Sequence, residues 1–326
     1  MSEQLLSYTI IGSSMSMRSL RSTIIRVAPT MVPVLIQGPT GSGKELVARA
    51  IHDMSGRRGA FVAFNVCAVA DSMFEDALFG HVRGAFTSAF GDMPGYLAEA
   101  NGGTIFLDEI SSLSISAQAK LLRAIETREF RPVGGRTDRR SDFRVVVATN
   151  EPLETLVAEQ RFRADLSFRL RGLVLDLPLL RDRLCDLPEL AQHFVREVDA
   201  ASRGRRLSQC AVEEFLSYDW PGNVRELRQA VESALAMTDA DVITAAEMRL
   251  TWRRTTCCRL PQEPFERRRL QTVLEQFDWD TAKASLHLGI ARSTLYRRMQ
   301  RVGLRVPRHA GLSPDAFPSC PASASR

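Results

Sequence analysis

The chain has 326 residues, 44% of them apolar, with 43 Lys and Arg against 38 Asp and Glu for a net charge of +5. That length exceeds one ordinary domain, and that apolar content supplies a packed core. The lack of any apolar run near 18 residues excludes a membrane span, and Met1–Tyr8 does not read as a signal peptide. The charge is uneven: Arg253–Arg308 holds 13 basic and 5 acidic residues, a surplus of eight, so the rest of the chain is slightly acidic. A near-neutral body with a basic C-terminal end points to an appended nucleic-acid-binding element. Six cysteines (Cys67, Cys185, Cys210, Cys257, Cys258 and Cys320) lack metal-ligand spacing and read as free thiols of a cytoplasmic protein.

After a short extension over residues 1–8, Ile10-Ile11-Gly12 leads into an apolar periodicity over Met17–Val27 that predicts a helix. From spacing alone, these first apolar residues pack either on a nucleotide base or in the core. Val34-Leu35-Ile36 predicts a strand that runs into Gly38-Pro39-Thr40-Gly41-Ser42-Gly43-Lys44, and Leu46, Val47, Ala50 and Ile51 then recur at helical spacing. Strand, glycine-rich turn and helix with the pattern GxxxxGK form a phosphate-binding loop. The glycines let backbone N–H groups curl around phosphate oxygens, the helix start favours an anion, and Lys44 supplies a mobile cation. The hydroxyl residue that usually follows the lysine and holds Mg2+ is replaced by Glu45.

Ala60–Val66 reads as a strand carrying Asn65, and Leu78–His81 leads into Gly84–Ala89. Gly103–Leu107 is an apolar strand ending in Asp108 and Glu109. This acidic pair about 60 residues after a phosphate loop suits ATP hydrolysis: Asp108 becomes the main Mg2+ anchor and Glu109 polarises the attacking water. Ala117–Glu126 predicts an amphipathic helix, and Arg144–Ala148 a buried strand ending at Thr149-Asn150. Asn150 is either a sensor of the γ-phosphate or a strand-ending turn residue. Alternating strands and helices predict an α/β fold with a parallel sheet and ligands at the strand C-terminal ends.

The Gly38–Glu45 loop, the Gly84–Ala89 hexapeptide, Gly102–Ile110 and the octapeptide Trp220-Pro221-Gly222-Asn223-Val224-Arg225-Glu226-Leu227 together resemble the sigma-54-dependent transcriptional activators, a class of AAA+ ATPases. The likeness runs from about Ile10 to Arg305. It implies a ring, usually a hexamer of this chain or of this chain and a homologue, that hydrolyses ATP to remodel sigma-54 RNA polymerase at a promoter. Gly84, Ala85, Phe86, Thr87, Ser88 and Ala89 stand where the family carries GAFTGA, the loop that touches sigma-54, with Phe86 and Thr87 as contacts. Ser88 departs from that pattern in replacing the second glycine, which favours a stiffer loop. The resemblance makes Asn65 the switch residue that holds Glu109 back, Val133–Asp142 a second mobile loop, Arg163 and Arg169 the arginines that reach a neighbour's ATP, and Arg225 the lid arginine that reaches phosphates of its own subunit.

Residues 9–175 are thus expected to form the AAA+ nucleotide-binding subdomain, 176–250 a helical lid and 251–264 a linker. Residues 265–306 read as helix, glycine turn, helix: Ala284, Leu288 and Leu295 face inward, Ser293 caps the second helix, and Arg292, Thr294, Tyr296, Arg297, Arg298 and Arg301 decorate it. A basic helix after a glycine turn suits the major groove of double-stranded DNA, and it is similar to the Fis-type helix-turn-helix common in this family. The Pro/Ser/Ala-rich residues 307–326 read as a disordered tail. With the AAA+ pattern opening so early, the chain resembles members without a receiver domain, such as phage-shock and type III secretion activators, whose control comes from a regulator in trans. Two rival readings are a DNA-binding regulator of the same ancestry without sigma-54 contact, and an AAA+ motor acting directly on nucleic acid.

Overall fold

The computed structural model describes residues 6, 9–87, 89–199 and 204–247, and toward the C-terminus 270–271, 273–275, 277, 279–288, 292, 295–296, 299 and 304. The expected linker and tail, with Ser88, Ser293, Thr294, Arg297, Arg298, Arg301 and the cysteines beyond Cys210, lie outside the described residues. The chain divides into two units, Met1–Thr251 and Trp252–Arg326.

The first unit is built on five parallel strands: β1 (Val34–Gln37), β2 (Phe61–Asn65), β5 (Thr104–Asp108), β8 (Arg144–Thr149) and β9 (Leu173–Asp176), in the order β2-β5-β8-β1-β9. Short hairpin strands β3 (Gly80–His81) with β4 (Met93–Pro94), and β6 (Glu129–Phe130) with β7 (Arg139–Arg140), project from it in chain order. The central strands are apolar on both faces because helices cover both. Alternation along each strand divides the core. Leu35, Ile105, Leu107, Val145 and Val147 pack with α3 (Asp71–Phe79), α5 (Ile115–Thr127), α6 (Leu153–Ala158) and α7 (Ala164–Leu170). On the other face Val34, Ile36, Phe106, Val146 and Ala148 pack with α1 (Met15–Val27) and α2 (Lys44–Asp53). A single turn, α4 (Tyr96–Glu99), adds Leu97 to the first layer.

The register brings the strand ends level: Asn65 opposes Asp108, and Gln37 opposes both Thr149 and Asp176. Everything that follows β1, β2, β5 and β8 therefore emerges along one edge of the sheet, where α/β proteins hold ligands.

Arg144 opens β8 and is fully buried. Its Nη1 donates to Ala28 O, a carbonyl at the end of α1, and its Nη2 to Val27 O at 2.9 Å, which also accepts from Thr30. Burial pushes its pKa down to about 10.

The lid follows in the same unit, with α8 (Leu187–Val198), α9 (Gln209–Leu216) and α10 (Asn223–Met237). A parallel pair, β10 (Arg206–Leu207) and β11 (Val242–Ile243), joins the segment between α8 and α9 to the one that follows α10, a small addition to the helical lid expected here. Trp220 is fully buried beneath α10, its Nε1 donating to Phe215 O at 2.9 Å.

The second unit has a small core of Leu270, Leu274, Ala284, Leu295, Met299 and Leu304, with Leu288 packed against it. Its helix α11 (Thr281–His287) starts at Asp280, whose Oδ1 accepts the N–H groups of Ala282 at 2.9 Å and Lys283 at 3.2 Å. Ala284 and Leu295 face inward as their spacing implied.

Candidate nucleotide site and its flanking loops

The loop after β1 has the backbone its glycines allow: φ is +76° at Gly41 and +101° at Gly43, where α2 begins. Lys44 is 7% exposed, and its Nζ donates to Gly38 O at 3.0 Å and, more weakly, to Pro39 O at 3.4 Å. Those bonds arch the side chain back over the loop, within reach of anything seated in it. Ser42 Oγ is buried in the loop with no hydrogen-bond partner, an orphan that a phosphate oxygen would satisfy. Glu45 is exposed on the first turn of α2.

Asp108 ends β5, and Glu109 follows with φ +55°, a left-handed conformation costly for a glutamate. Its N–H donates to Asp108 Oδ1 at 3.0 Å. Burial raises the Glu109 carboxyl above its ordinary range; Lys44 and Arg225 oppose the rise, and Asp108 and Glu151 add to it. The cation of the phosphate loop, the lid arginine and the acidic pair thus share one electrostatic neighbourhood. Asn65 stands across from Asp108 at the end of β2, and its Oδ1 accepts the N–H of Cys67 at 2.9 Å rather than engaging Glu109. Asn150 is exposed immediately after β8, at the same edge.

A cavity of about 380 Å3 opens beside the loop, walled by Ile10, Ile11, Met17, Leu46, Leu177 and Phe194. It falls within the usual size range for small-ligand pockets. Ile10 belongs at once to this wall and to the core. The residues fit a purine nucleotide: an apolar slot for the base next to a glycine loop with an unpartnered hydroxyl and a cation. They also fit Mg2+ held by Asp108 with help from phosphate oxygens. Among the described residues no cluster of three His, Cys, Asp or Glu forms a metal cage.

The lid meets this site through groups that sequence reading missed. Asn223, 1% exposed, donates from Nδ2 to Thr40 O at 3.1 Å and accepts the N–H of Leu180 at 3.0 Å. The N–H of Arg225 donates to Gly41 O at 3.2 Å, and a β-carbon on Gly41 would lie 2.4 Å from Gly222 O. Arg183, 3% exposed, lines the cavity with a buried Nε that lacks a partner. Fully buried Asp186 accepts both the N–H and the Oγ–H of Ser14 at 2.6 Å, fixing the start of α1 to the start of the lid. Of these, Asn223 and Arg225 carried a signal, both within the Trp220–Leu227 octapeptide.

Arg163 caps the start of α7, Arg169 lies in its last turn, and neither lines the cavity. Arg163 is bidentate on Asp165 of its own helix, Nε at 3.0 Å and Nη2 at 2.7 Å. Arg169 precedes β9, at the strand-start edge of the sheet, opposite the edge that carries the phosphate loop. In the Gly84–Ala89 loop the Gly84 N–H donates to Ala89 O at 2.9 Å, and the Phe86 ring meets His81 edge-on with centroids 4.9 Å apart. Thr87 is exposed. In the second unit, Arg292 Nε donates to Thr281 Oγ1 at 3.0 Å and Tyr296 OH lies 3.3 Å from the same hydroxyl.

A parallel sheet in this strand order, with the phosphate loop on β1, an acidic pair on β5 and a helical lid bonded to the loop backbone, is the architecture of AAA+ nucleotide-binding domains. Residues 10–176 match the sigma-54 interaction domain, 181–258 the AAA+ ATPase lid domain, and 261–301 the Fis-family bacterial regulatory protein domain. The chain belongs to the sigma-54-dependent transcriptional activators. It is 37% identical to the transcriptional regulator VasH of Vibrio cholerae serotype O1, over 93% of this chain and 64% of VasH. It is 39% identical to the transcriptional regulatory protein ZraR of Klebsiella oxytoca, over 90% of this chain and 69% of that protein. Among solved structures, NtrX of Brucella abortus in complex with ATP superposes with a TM-score of 0.72 at 31% identity, covering 93% of this chain and 72% of that one. The chain therefore spans somewhat under two thirds of VasH. No described helix is long and apolar enough to cross a membrane.

Proposed function

We propose that this chain is an ATP-hydrolysing activator that remodels sigma-54 RNA polymerase from a DNA-tethered ring, in the cytoplasm with the polymerase. The observation that carries the reading is the division of labour across the sheet. Lys44, Asp108, Glu109 and Arg225 gather at the strand-end edge, whereas Arg169 lies at the other. A site that needs a second guanidinium, beside that of Arg225, to stabilise the transferring phosphoryl group is then completed by a neighbouring copy, which supports assembly into a ring.

In this reading the glycine loop and Lys44 seat the β- and γ-phosphates, and the Ile10–Phe194 cavity takes the adenine. Glu109, with a raised pKa, accepts a proton from the attacking water, and Asn65 rotates off Cys67 to restrain it. Mg2+, when bound, neutralises phosphate charge, and Asp108 would hold it. Asn150 and Arg225 report the γ-phosphate to the sheet and the lid. The Phe86-Thr87 segment delivers the motion to sigma-54, and the helix-turn-helix holds the ring at an upstream DNA site. Control by a regulator in trans completes the reading.

The deciding experiment measures ATPase rate against protein concentration, then open-complex formation at a sigma-54 promoter with purified polymerase. The expected result is a cooperative rise in ATPase rate and ATP-dependent promoter opening. ATP hydrolysis without opening would instead favour a regulator of this family that has lost its sigma-54 contact. Strand displacement by the protein alone would favour a nucleic-acid motor.

A further inference from the structure

The loop between β3 and β4 carries a second aromatic outside the hexapeptide. Its turn is pinned by Ala85 N–H to Val82 O at 3.1 Å, Gly84 N–H to Ala89 O at 2.9 Å and Ala89 N–H to Phe86 O at 3.0 Å. The returning arm is held by Arg83 N–H to Asp92 Oδ1 at 2.8 Å. Within this closed turn Phe86 folds back on His81, whose Nδ1 is itself 2.5 Å from Asp76 Oδ1, and is left 40% exposed. Ala89 turns inward at 5% exposure, and the next residue, Phe90, turns outward at 86%. Met93 on the same arm is 54% exposed.

Single exposed apolar residues are ordinary on protein surfaces. Phe90 differs in its placement: a fixed turn holds it four residues from Phe86 on the same loop, and among the described residues it makes no ring contact. Residues 84–94 contain no Lys or Arg, and their one charged side chain, Asp92, is engaged with Arg83 N–H. Arg83 at the base of the loop is its one cation, and the tip from Gly84 to Phe90, which carries no charge, is suited to an apolar protein partner and not to a phosphate backbone. Large aromatics that become buried at a contact dominate its affinity.

We propose that Phe90 is a second aromatic anchor for sigma-54, continuous with the Phe86-Thr87 contact and already presented while Phe86 is stowed on His81. This rests on the sigma-54 reading above. The ring would make the first contact, and release of Phe86 from His81 would then double the apolar grip without further rearrangement of the turn.

The test uses the full chain with ADP and aluminium fluoride, a mimic of the phosphoryl group in flight, and measures affinity for purified sigma-54. Phe90→Ala is expected to keep the wild-type melting temperature and to lose at least tenfold in sigma-54 affinity, with Phe90→Tyr recovering most of it. Unchanged affinity in Phe90→Ala, while Phe86→Ala loses binding, overturns the proposal and leaves the sigma-54 reading standing. Loss of ATPase rate in step with affinity assigns Phe90 to ring assembly and also overturns it. Failure of the wild-type chain to bind sigma-54 overturns the sigma-54 reading and the proposal together.

Discussion

Asn223 reaches across from the first residue of α10 to the phosphate loop, its Nδ2 donating to Thr40 O at 3.1 Å while its Oδ1 takes the N–H of Leu180 at 3.0 Å. One buried side chain therefore joins the loop that would hold phosphates, the strand-to-lid connection and the lid helix. Its own φ of +53° is left-handed, which asparagine tolerates better than most residues. Asn223→Gly keeps the backbone conformation and removes both bonds. It is expected to cost about 2–3 kcal/mol of stability, since two buried groups lose partners. It should also weaken ATP binding by roughly tenfold, about 1.4 kcal/mol of lost loop preorganisation. Asn223→Ala adds backbone strain and should be worse on both counts. Denaturant titration and nucleotide titration on the same samples give the two numbers. Unchanged ATP affinity in Asn223→Gly would mean that the lid does not help to organise the loop.

The separation of Arg169 from Lys44 and Glu109 leads to a mixing test. Glu109→Gln should bind ATP but turn over at least about 100-fold more slowly, because the general base is lost while the seat for phosphates remains. Arg169→Ala should be comparably slow, since one guanidinium on a transferring phosphoryl is worth about 10³-fold or more. Mixed one to one, the two inactive proteins should recover activity, because an intact Glu109 on one copy then meets an intact Arg169 on the next. In a randomly mixed ring about a quarter of the sites are whole. No recovery under assembling conditions would place both groups in one subunit's site. Asp165→Asn, which loosens the bidentate hold on Arg163, should leave the mixing result intact.

The phosphate loop and the acidic pair were legible in the chain because each is a contiguous pattern at the end of an apolar strand. Four of the five sheet strands were legible for the same reason. The fifth, Leu173–Asp176, went unread: it is a short edge strand, only partly buried along most of its length, so it shows neither a long apolar run nor strict alternation. The β10–β11 pair consists of two residues on each side and owes its existence to the packing of the lid. Asn223 to Thr40, and Asp186 to Ser14, bind backbone or hydroxyl groups more than 170 positions away. Such bonds leave no periodicity, and the turn that holds Asn223 does not name its distant partner. The roles of Asn65, Arg163, Arg169 and Phe86 came from resemblance and not from spacing. The structure adds where each now rests: on Cys67 N–H, on Asp165, at the strand-start edge, and on His81.

Arg144 offers a prediction about stability alone. Its guanidinium is fully buried against the carbonyls of Val27 and Ala28, and Arg57 is the charge that most disfavours its protonation after burial itself. Arg144→Met fills similar volume but leaves Ala28 O without its partner, while Val27 O keeps the N–H and the hydroxyl of Thr30. The expected loss is about 1–3 kcal/mol, read as a lower denaturant midpoint. Arg144→Ala should lose more, because a cavity is added to the unpaired Ala28 carbonyl. Met17, on the wall of the base cavity, sits on the same helix. ATP affinity should nonetheless change less than stability does, since the Asp186–Ser14 bonds hold the near end of α1 in place. A larger effect on ATP than on unfolding would show that α1 moves as a rigid lever.

His52 sets a pH dependence whose direction follows from its surroundings. It lies on α2 with Nδ1 2.9 Å from Thr104 Oγ1 and its ring 5.5 Å from Phe61. Burial lowers its pKa below 6.5; Asp53 works against this, and Arg49, Arg57 and Arg144 reinforce it. A depressed folded-state pKa means that the unfolded chain takes up the proton first. Stability is therefore full above about pH 6.5, the pKa of a free imidazole, and falls as the pH drops below that value, until the folded-state pKa is reached. Because the group is only partly buried, the slope should stay below about 1 kcal/mol per pH unit. His52→Gln can still pair with Thr104 Oγ1 and cannot titrate. Urea midpoints measured at pH 7.5 and pH 5.5 should converge in this variant relative to wild type. An equal loss in both proteins would assign the acid sensitivity to other groups.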